Sequence, residues 1–180
     1  MPLHPTAVRL LQTALLMIDS DGPDALTVRS LVEQSGVTVG SIYHHLGSLD
    51  QLRRAVADEA LRSWSTDFFA ALRERGYAAA AAADRAWSRA HPGLGVLIET
   101  TGRLGEMGDA AEQFNTGLRG WLDSEQLAKG APAHLVAAII LGPLLELRRL
   151  ERATGRAVSN AELKVLETSV LAALAALKSP

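Results

Sequence analysis

Tyr43 and His44, in the stretch TVGSIYHHL at residues 38–46, are the side chains with the most to offer chemically. A phenol hydroxyl and an imidazole N–H are both donors, suited to holding a phosphate oxygen and fixing a helix in register. Gly40 stands three residues before Tyr43, so Gly40, Tyr43 and His44 occupy i, i+3 and i+4 and share one outward helix face, with Val37, Ile42 and Leu46 pointing inward. A glycine inside a helix costs about 1 kcal/mol against alanine. That cost makes sense where another backbone must come within contact distance of the face. At the start of the same helix Thr38, Val39 and Ser41 present hydroxyls and methyl groups suited to base edges, Val39 or the Thr38 methyl meeting a thymine methyl. Arg29, one helix earlier, is placed for a phosphate or a guanine.

Other chemistry is poorly represented. There is no Gly-x-x-x-x-Gly-Lys loop, no Gly-x-Ser-x-Gly elbow and no His-Glu-x-x-His or Glu-x-x-His pair. His44 and His45 are adjacent and face different ways on a helix, while His4, His91 and His134 lie far apart in sequence, so no metal site is expected. The chain has no cysteine, which excludes disulfides and thiolate chemistry. The sequence therefore predicts a binding protein, not an enzyme, with no cofactor.

The elements that must position these residues are helical. Apolar residues at 48% and charged residues at 21% give the profile of a packed globular chain. Alternating runs and hairpin turns are nearly missing, so the expected class is all-α, with about nine helices. Val8, Leu11, Leu15 and Ile18 stripe a first helix over 5–19, which stops at SDGPD. Thr27 caps a second helix that Gly36 closes, with Val28, Leu31, Val32 and Ser35 inward, and Thr38 caps a third running to about His44. Ser48 with Gln51 makes a capping box for a fourth of roughly 25 residues, in which Leu52, Val56, Ala60, Trp64, Phe68 and Leu72 repeat every four. Further helices are expected at about 77–90, broken by HPG, at 94–101, and at about 109–128 after a turn region with Gly102, Gly105 and Gly108. Pro132 starts an apolar helix that contains Pro143, and Ser159 with Glu162 caps the last, which runs to about Leu177. The run of six alanines at 78–83 reads as close-packed helix.

A helix, a tight glycine turn and a second short helix over 26–52 is the layout that places the latter helix in a DNA major groove. Residues 27–46, TVRSLVEQSGVTVGSIYHHL, resemble the DNA-binding region of the TetR family of bacterial transcriptional regulators, with its Thr-x-Arg opening, Gly-Val turn and Gly-x-hydrophobic-Tyr ending. The likeness covers about residues 5–60; AWSRAHPGL at 86–94 and LLEL at 144–147 are similar to stretches of some members. It implies a helix-turn-helix domain at 1–50, joined by the long helix to an effector-binding and dimerisation bundle at 51–180. The implied function is a repressor that binds a palindromic double-stranded operator as a homodimer through its last two helices and is released by a small, largely apolar effector. Thr27, Arg29, Thr38, Val39, Gly40, Ser41, Tyr43, His44 and Ser48 form the candidate DNA-binding set. Trp64, Phe68, Trp87, Phe114 and Trp121, with Glu99, Arg103 and Gln113 as polar contacts, form the candidate effector set.

Two departures from the family pattern matter. Leu46, Gly47, Ser48 and Leu49 replace the usual Phe-x-Ser-Lys, so a lysine that commonly touches phosphate is absent. Residues 1–60 also hold four basic groups against seven acidic ones, a formal −3. The alternative reading is accordingly a dimeric helical ligand-binding or protein-interaction module that keeps the fold without binding DNA. The N-terminus MPLHPTAVRL lacks a signal-peptide pattern and no stretch of about 18 uncharged apolar residues occurs, so a cytoplasmic protein with no membrane association is expected.

Overall fold

A computed structural model of the protein describes residues 4–103 and 108–177, without the side chains of residues 102 and 103. Among the described residues there are nine α-helices, one 3-10 turn at Pro23–Ala25 and no strand. The helices are α1 (Pro5–Asp21), α2 (Val28–Ser35), α3 (Val39–Leu46), α4 (Leu49–Arg75), α5 (Tyr77–Ala90), α6 (Pro92–Arg103), α7 (Asp109–Ser124), α8 (Ala133–Thr154) and α9 (Asn160–Ala176). Two compact units divide the chain, one of residues 1–63 with 88–113, the other of 64–87 with 114–180.

In the first unit α1 is the hub, packing against α2, α3 and α6. Its Leu10, Ala14, Met17 and Ile18 are buried, as are Leu31 of α2 and Ile42 of α3, and each large aliphatic contributes about 1.5–3 kcal/mol by leaving water. The caps form where hydroxyls and glycines stand. Ser30 N donates to the Thr27 hydroxyl while Thr27 N donates to Ser30 Oγ, and Gly36 closes α2 at φ 67, a left-handed backbone that glycine adopts without steric cost. Ser41 N donates to Thr38 Oγ1 and Gln51 N to Ser48 Oγ, starting α3 and α4.

The start of α6 is fixed to the end of α1. The His91 ring lies 2.7 Å from an Asp19 carboxylate oxygen, and a Cβ on Gly93 would sit 1.7 Å from the Ile18 carbonyl oxygen. Backbone meets backbone there, with no room for one carbon. Gly93→Ala is expected to lower the stability of this unit by at least about 1–3 kcal/mol, the ordinary range for overpacking, read as a fall in melting temperature; an unchanged value would mean α6 can slide away from α1 freely.

The expected four-residue repeat in α4 is observed, with Leu52, Val56, Ala60, Trp64, Phe68 and Leu72 all buried, over 27 residues or about 40 Å at 1.5 Å per residue. In the second unit Trp64, Phe68, Phe69 and Phe114 form one aromatic cluster, with Trp64 and Phe68 stacked at 4.9 Å and Phe69 and Phe114 at 5.2 Å. Polar ties fasten α5 to α8. The Tyr77 hydroxyl donates to the Ile140 carbonyl at 2.7 Å. Burial, then the charge of Asp84, push that hydroxyl far above the ordinary tyrosine range. Asp84, fully buried, accepts from Trp64 Nε1 and from the Arg148 guanidinium, and Arg85 pairs with Glu151. Ala78 N, in the first turn of α5, donates to Glu167 of α9 at 3.0 Å.

Several boundaries differ from the sequence reading, and α1 runs two residues past 19, through Ser20 to Asp21. α6 runs over Pro92–Arg103, not 94–101, because Pro92 suits a first helical position. α7 stops at Ser124, four residues short of 128, because Leu127 N turns back to the Leu122 carbonyl and Gln126 and Ala128 take left-handed backbone. Pro132 caps α8 from outside it, and Ala133 is the first helical residue. Gly105 of the expected turn region lies outside the described residues. Among the described residues no helix is long and apolar enough to cross a membrane.

Candidate nucleic-acid interface

α3 presents two unlike faces. Ile42 is 2% exposed and faces the core, whereas Val39 and Tyr43 are about half exposed and Gly40 and His44 are exposed. The separation of the Val37, Ile42 and Leu46 side from the Gly40, Tyr43 and His44 side is as the spacing required: Val37 is buried and Leu46 half-buried. Nothing lies within 4 Å of the position a Gly40 Cβ would take, and its backbone is not left-handed.

The remaining candidate DNA-binding residues have partners of their own. The hydroxyls of Thr27, Thr38 and Ser48 accept from backbone N–H groups as helix caps. Ser41 is half-buried in the first turn of α3. Arg29 is exposed and pairs with Glu33 at 2.9 Å on the same helix, a contact that sequence spacing of i, i+4 allows. Arg53 pairs with Asp50 and donates to the Leu26 carbonyl. Arg29 and Arg53 are thus each paired with a neighbouring carboxylate.

The candidate effector residues fall in both units. Trp64, Phe68, Trp87, Phe114 and Trp121 belong to the second and are buried; Glu99, half-buried on α6, and Gln113, exposed on α7, belong to the first. The Arg103 side chain lies outside the described residues. Trp64, Phe68 and Phe114 pack against one another, with Trp64 and Phe114 centroids 5.5 Å apart. A groove of about 440 Å³ opens elsewhere in the second unit, lined by Leu147, Leu150, Val158, Val165 and Leu166 of α8, α9 and their connection, with Glu151, Arg156 and Glu162 at its edge. None of the candidate effector residues lines it.

Among the described residues no group of three or more histidines and carboxylates is arranged to hold a metal ion. The structure does show one cluster that sequence separation concealed. His4, the N-cap of α1, stacks on His45 of α3, and His44 meets the edge of His45.

Residues 10–56 match the model of the bacterial regulatory proteins of the tetR family. An uncharacterized HTH-type transcriptional regulator of Mycobacterium tuberculosis is 32% identical over 88 residues, which are 47% of this chain and 40% of that protein's length. The fold is that of EbrR, described as a multidrug binding protein and complexed with imidazole, at a TM-score of 0.70 and 17% identity over 91% of this chain and 88% of that one. A TetR transcriptional regulator from Streptomyces coelicolor superposes with a TM-score of 0.65 at 21% identity, over 96% and 98% of the two chains. Both structural likenesses are of fold alone. Over residues 10–56, which include α2, α3 and the turn between them, the chain is similar to the tetR family of bacterial regulatory proteins, and it spans less than half the length of the curated relative it matches.

Proposed function

We propose that the chain is a one-component transcriptional regulator, a repressor, which reads a palindromic operator as a homodimer through α3 and releases it when a small, largely apolar effector binds. Gly40 carries this reading. Its backbone is not left-handed and no neighbour crowds it, so the folded chain itself supplies no reason for a residue that weakens the helix. Close approach of another molecule does. Exposed Tyr43 and His44 are then phosphate contacts, and Thr38, Val39 and Ser41 meet base edges, with Thr27, Arg29 and Ser48 flanking. In this division residues 1–50 read DNA and 51–180 bind effector and partner.

Exposed Leu145, Leu150 and Val165 on α8 and α9, beside the groove, support a dimer through these helices, since a second copy would cover apolar surface otherwise left to water. Two recognition helices roughly 34 Å apart would then meet successive major grooves. The description of EbrR as a multidrug binding protein supports a small-molecule effector. Here the aromatic cluster of Trp64, Phe68 and Phe114, with Trp87 and Trp121, is the proposed receiving group, and α4, which contains Trp64 and Phe68, carries the change to the DNA-reading helices.

The formal −3 of residues 1–60, with Arg29 and Arg53 already paired, favours the second reading, a helical module without DNA binding. Gel retardation with DNA flanking the protein's own gene, and with oligonucleotides selected from a random pool, separates the two: a specific complex is expected, and none at low salt would decide for the second. Few phosphates are neutralised, so log K against log salt should have a slope shallower than about −8; a steeper slope would refute the sparse-contact part of the reading.

A further inference from the structure

We infer that His4 and His45 are positioning residues for the recognition helix, holding α3 against the N-terminus of α1 by a ring stack that persists while both imidazoles are neutral, so that mild acid loosens DNA recognition. The inference rests on the DNA-reading role proposed above. The two rings lie 4.5 Å apart between centroids and 19° from parallel, and His44 approaches His45 edge-on at 4.9 Å and 75°. α3 packs against α1, the element that carries His4, so the stack is a tie across that packing.

His4 has a second duty, which uses one of its ring nitrogens as an acceptor. Its Nδ1 accepts from Thr6 N at 3.2 Å, capping α1, which requires a lone pair on that nitrogen and the proton on Nε2. A second proton would go to Nδ1 and end the cap. It would also place a cation in face contact with His45. The charges bearing on His45 are His4 from α1 and His44 from its own helix, with no carboxylate among them to offset a positive ring. Burial first, then His4, then His44 hold the His45 imidazole below its ordinary 6.5. Since the folded value is the lower one, the contribution of the stack is complete above the ordinary value and is lost as pH falls through the folded value.

His44 acting alone predicts the opposite trend. It is exposed in the last turn of α3, where protonation suits both the helix C-terminus and a DNA phosphate. The direction of the pH effect therefore distinguishes a stack that positions the helix from a lone cation that touches DNA.

The test is affinity for a pool-selected oligonucleotide between pH 8 and pH 5.5, at constant ionic strength, using the full chain. Affinity should fall steadily as the pH is lowered, while circular dichroism shows the helices intact. His45→Phe keeps a ring against His4 but cannot titrate, so it should bind at pH 8 and lose the acid sensitivity; His4→Asn keeps an oxygen to cap α1 but removes the stacked ring, so it should already bind more weakly at pH 8 and lose little more in acid. Affinity that is flat or rises in acid, or variants that keep the parent's slope, would overturn the inference. Ring titration by NMR without DNA gives a separate readout: His45 should titrate below the ordinary value and move upward in His4→Asn, and an unshifted ring indifferent to His4 would remove the tie. Failure to bind DNA at every pH would sink the proposed function and with it the recognition role of the stack, leaving the ring titration to report on the tie itself.

Discussion

Asp84→Ala is expected to destabilise the second unit by about 3–5 kcal/mol, the cost of leaving one partner of a buried ion pair alone. Asp84 is 0% exposed and Arg148 8%, and the carboxylate also accepts from Trp64 Nε1 at 2.9 Å. The Arg148 guanidinium stands 5.9 Å from the Trp64 ring centroid, so removing Asp84 takes away the carboxylate to which a buried guanidinium and the Trp64 indole N–H both donate. Urea unfolding followed by circular dichroism should show a lower midpoint with the slope preserved. Arg148→Met should cost a similar amount by stranding the carboxylate. The double variant Asp84→Leu with Arg148→Met is the informative one, because replacing both members with apolar groups of similar size is often neutral or better, and most of the lost stability should return. A single Asp84→Ala costing under about 1 kcal/mol would put the pair in the class of solvated ion pairs and the description of it as buried would be wrong.

Gly40 gives the other large effect, and it divides stability from binding. Gly40→Ala should stabilise α3 by about 0.5–1 kcal/mol, since alanine is the better helix former and no atom stands within 4 Å of the new carbon. Gly40→Leu should leave the melting temperature close to that of the parent yet reduce operator affinity at least about 100-fold, equivalent to about 2.7 kcal/mol, because its side chain projects into the space the DNA backbone would take. Gel retardation and a thermal melt on the same preparations decide it. A Gly40→Leu protein that binds operator as well as the parent would show that nothing approaches this face.

The fold was largely legible because its signals are local. The Ser159 and Glu162 box, Gly36 after α2, and the four-residue repeat from Leu52 to Leu72 each lie within one element and follow from helix geometry alone. α7 was overextended to 128 because its four extra residues contain neither glycine nor proline; what ends it is a left-handed backbone at Gln126 and Ala128, which composition does not announce. The outward face of α3 could be read from spacing for the same local reason. The occupancy of Arg29 by Glu33 was available at i, i+4 and was overlooked. By contrast Asp84 with Arg148, Tyr77 with Ile140, and His4 with His45 join residues from separate helices. A pattern within one helix cannot indicate which distant side chain will meet it, so the sequence carries no signal that sets Asp84 and Arg85 apart, and His4, His91 and His134 lie far apart along it.

The connection between α7 and α8 has a consequence for how the second unit is assembled. Gln126 and Ala128 both have positive φ, at 57° and 51°, a backbone that unbranched residues other than glycine enter only at a cost of about 1–2 kcal/mol. Nothing intrinsic to these residues selects it. The carbonyls of Trp121, Leu122 and Asp123 select it, by receiving the N–H groups of Glu125, Leu127 and Gln126 and so folding the chain back over the end of α7. The curl is templated by a finished helix and does not template one: it inherits its shape from α7, and whatever frays the last turn of that helix unwinds the bend with it.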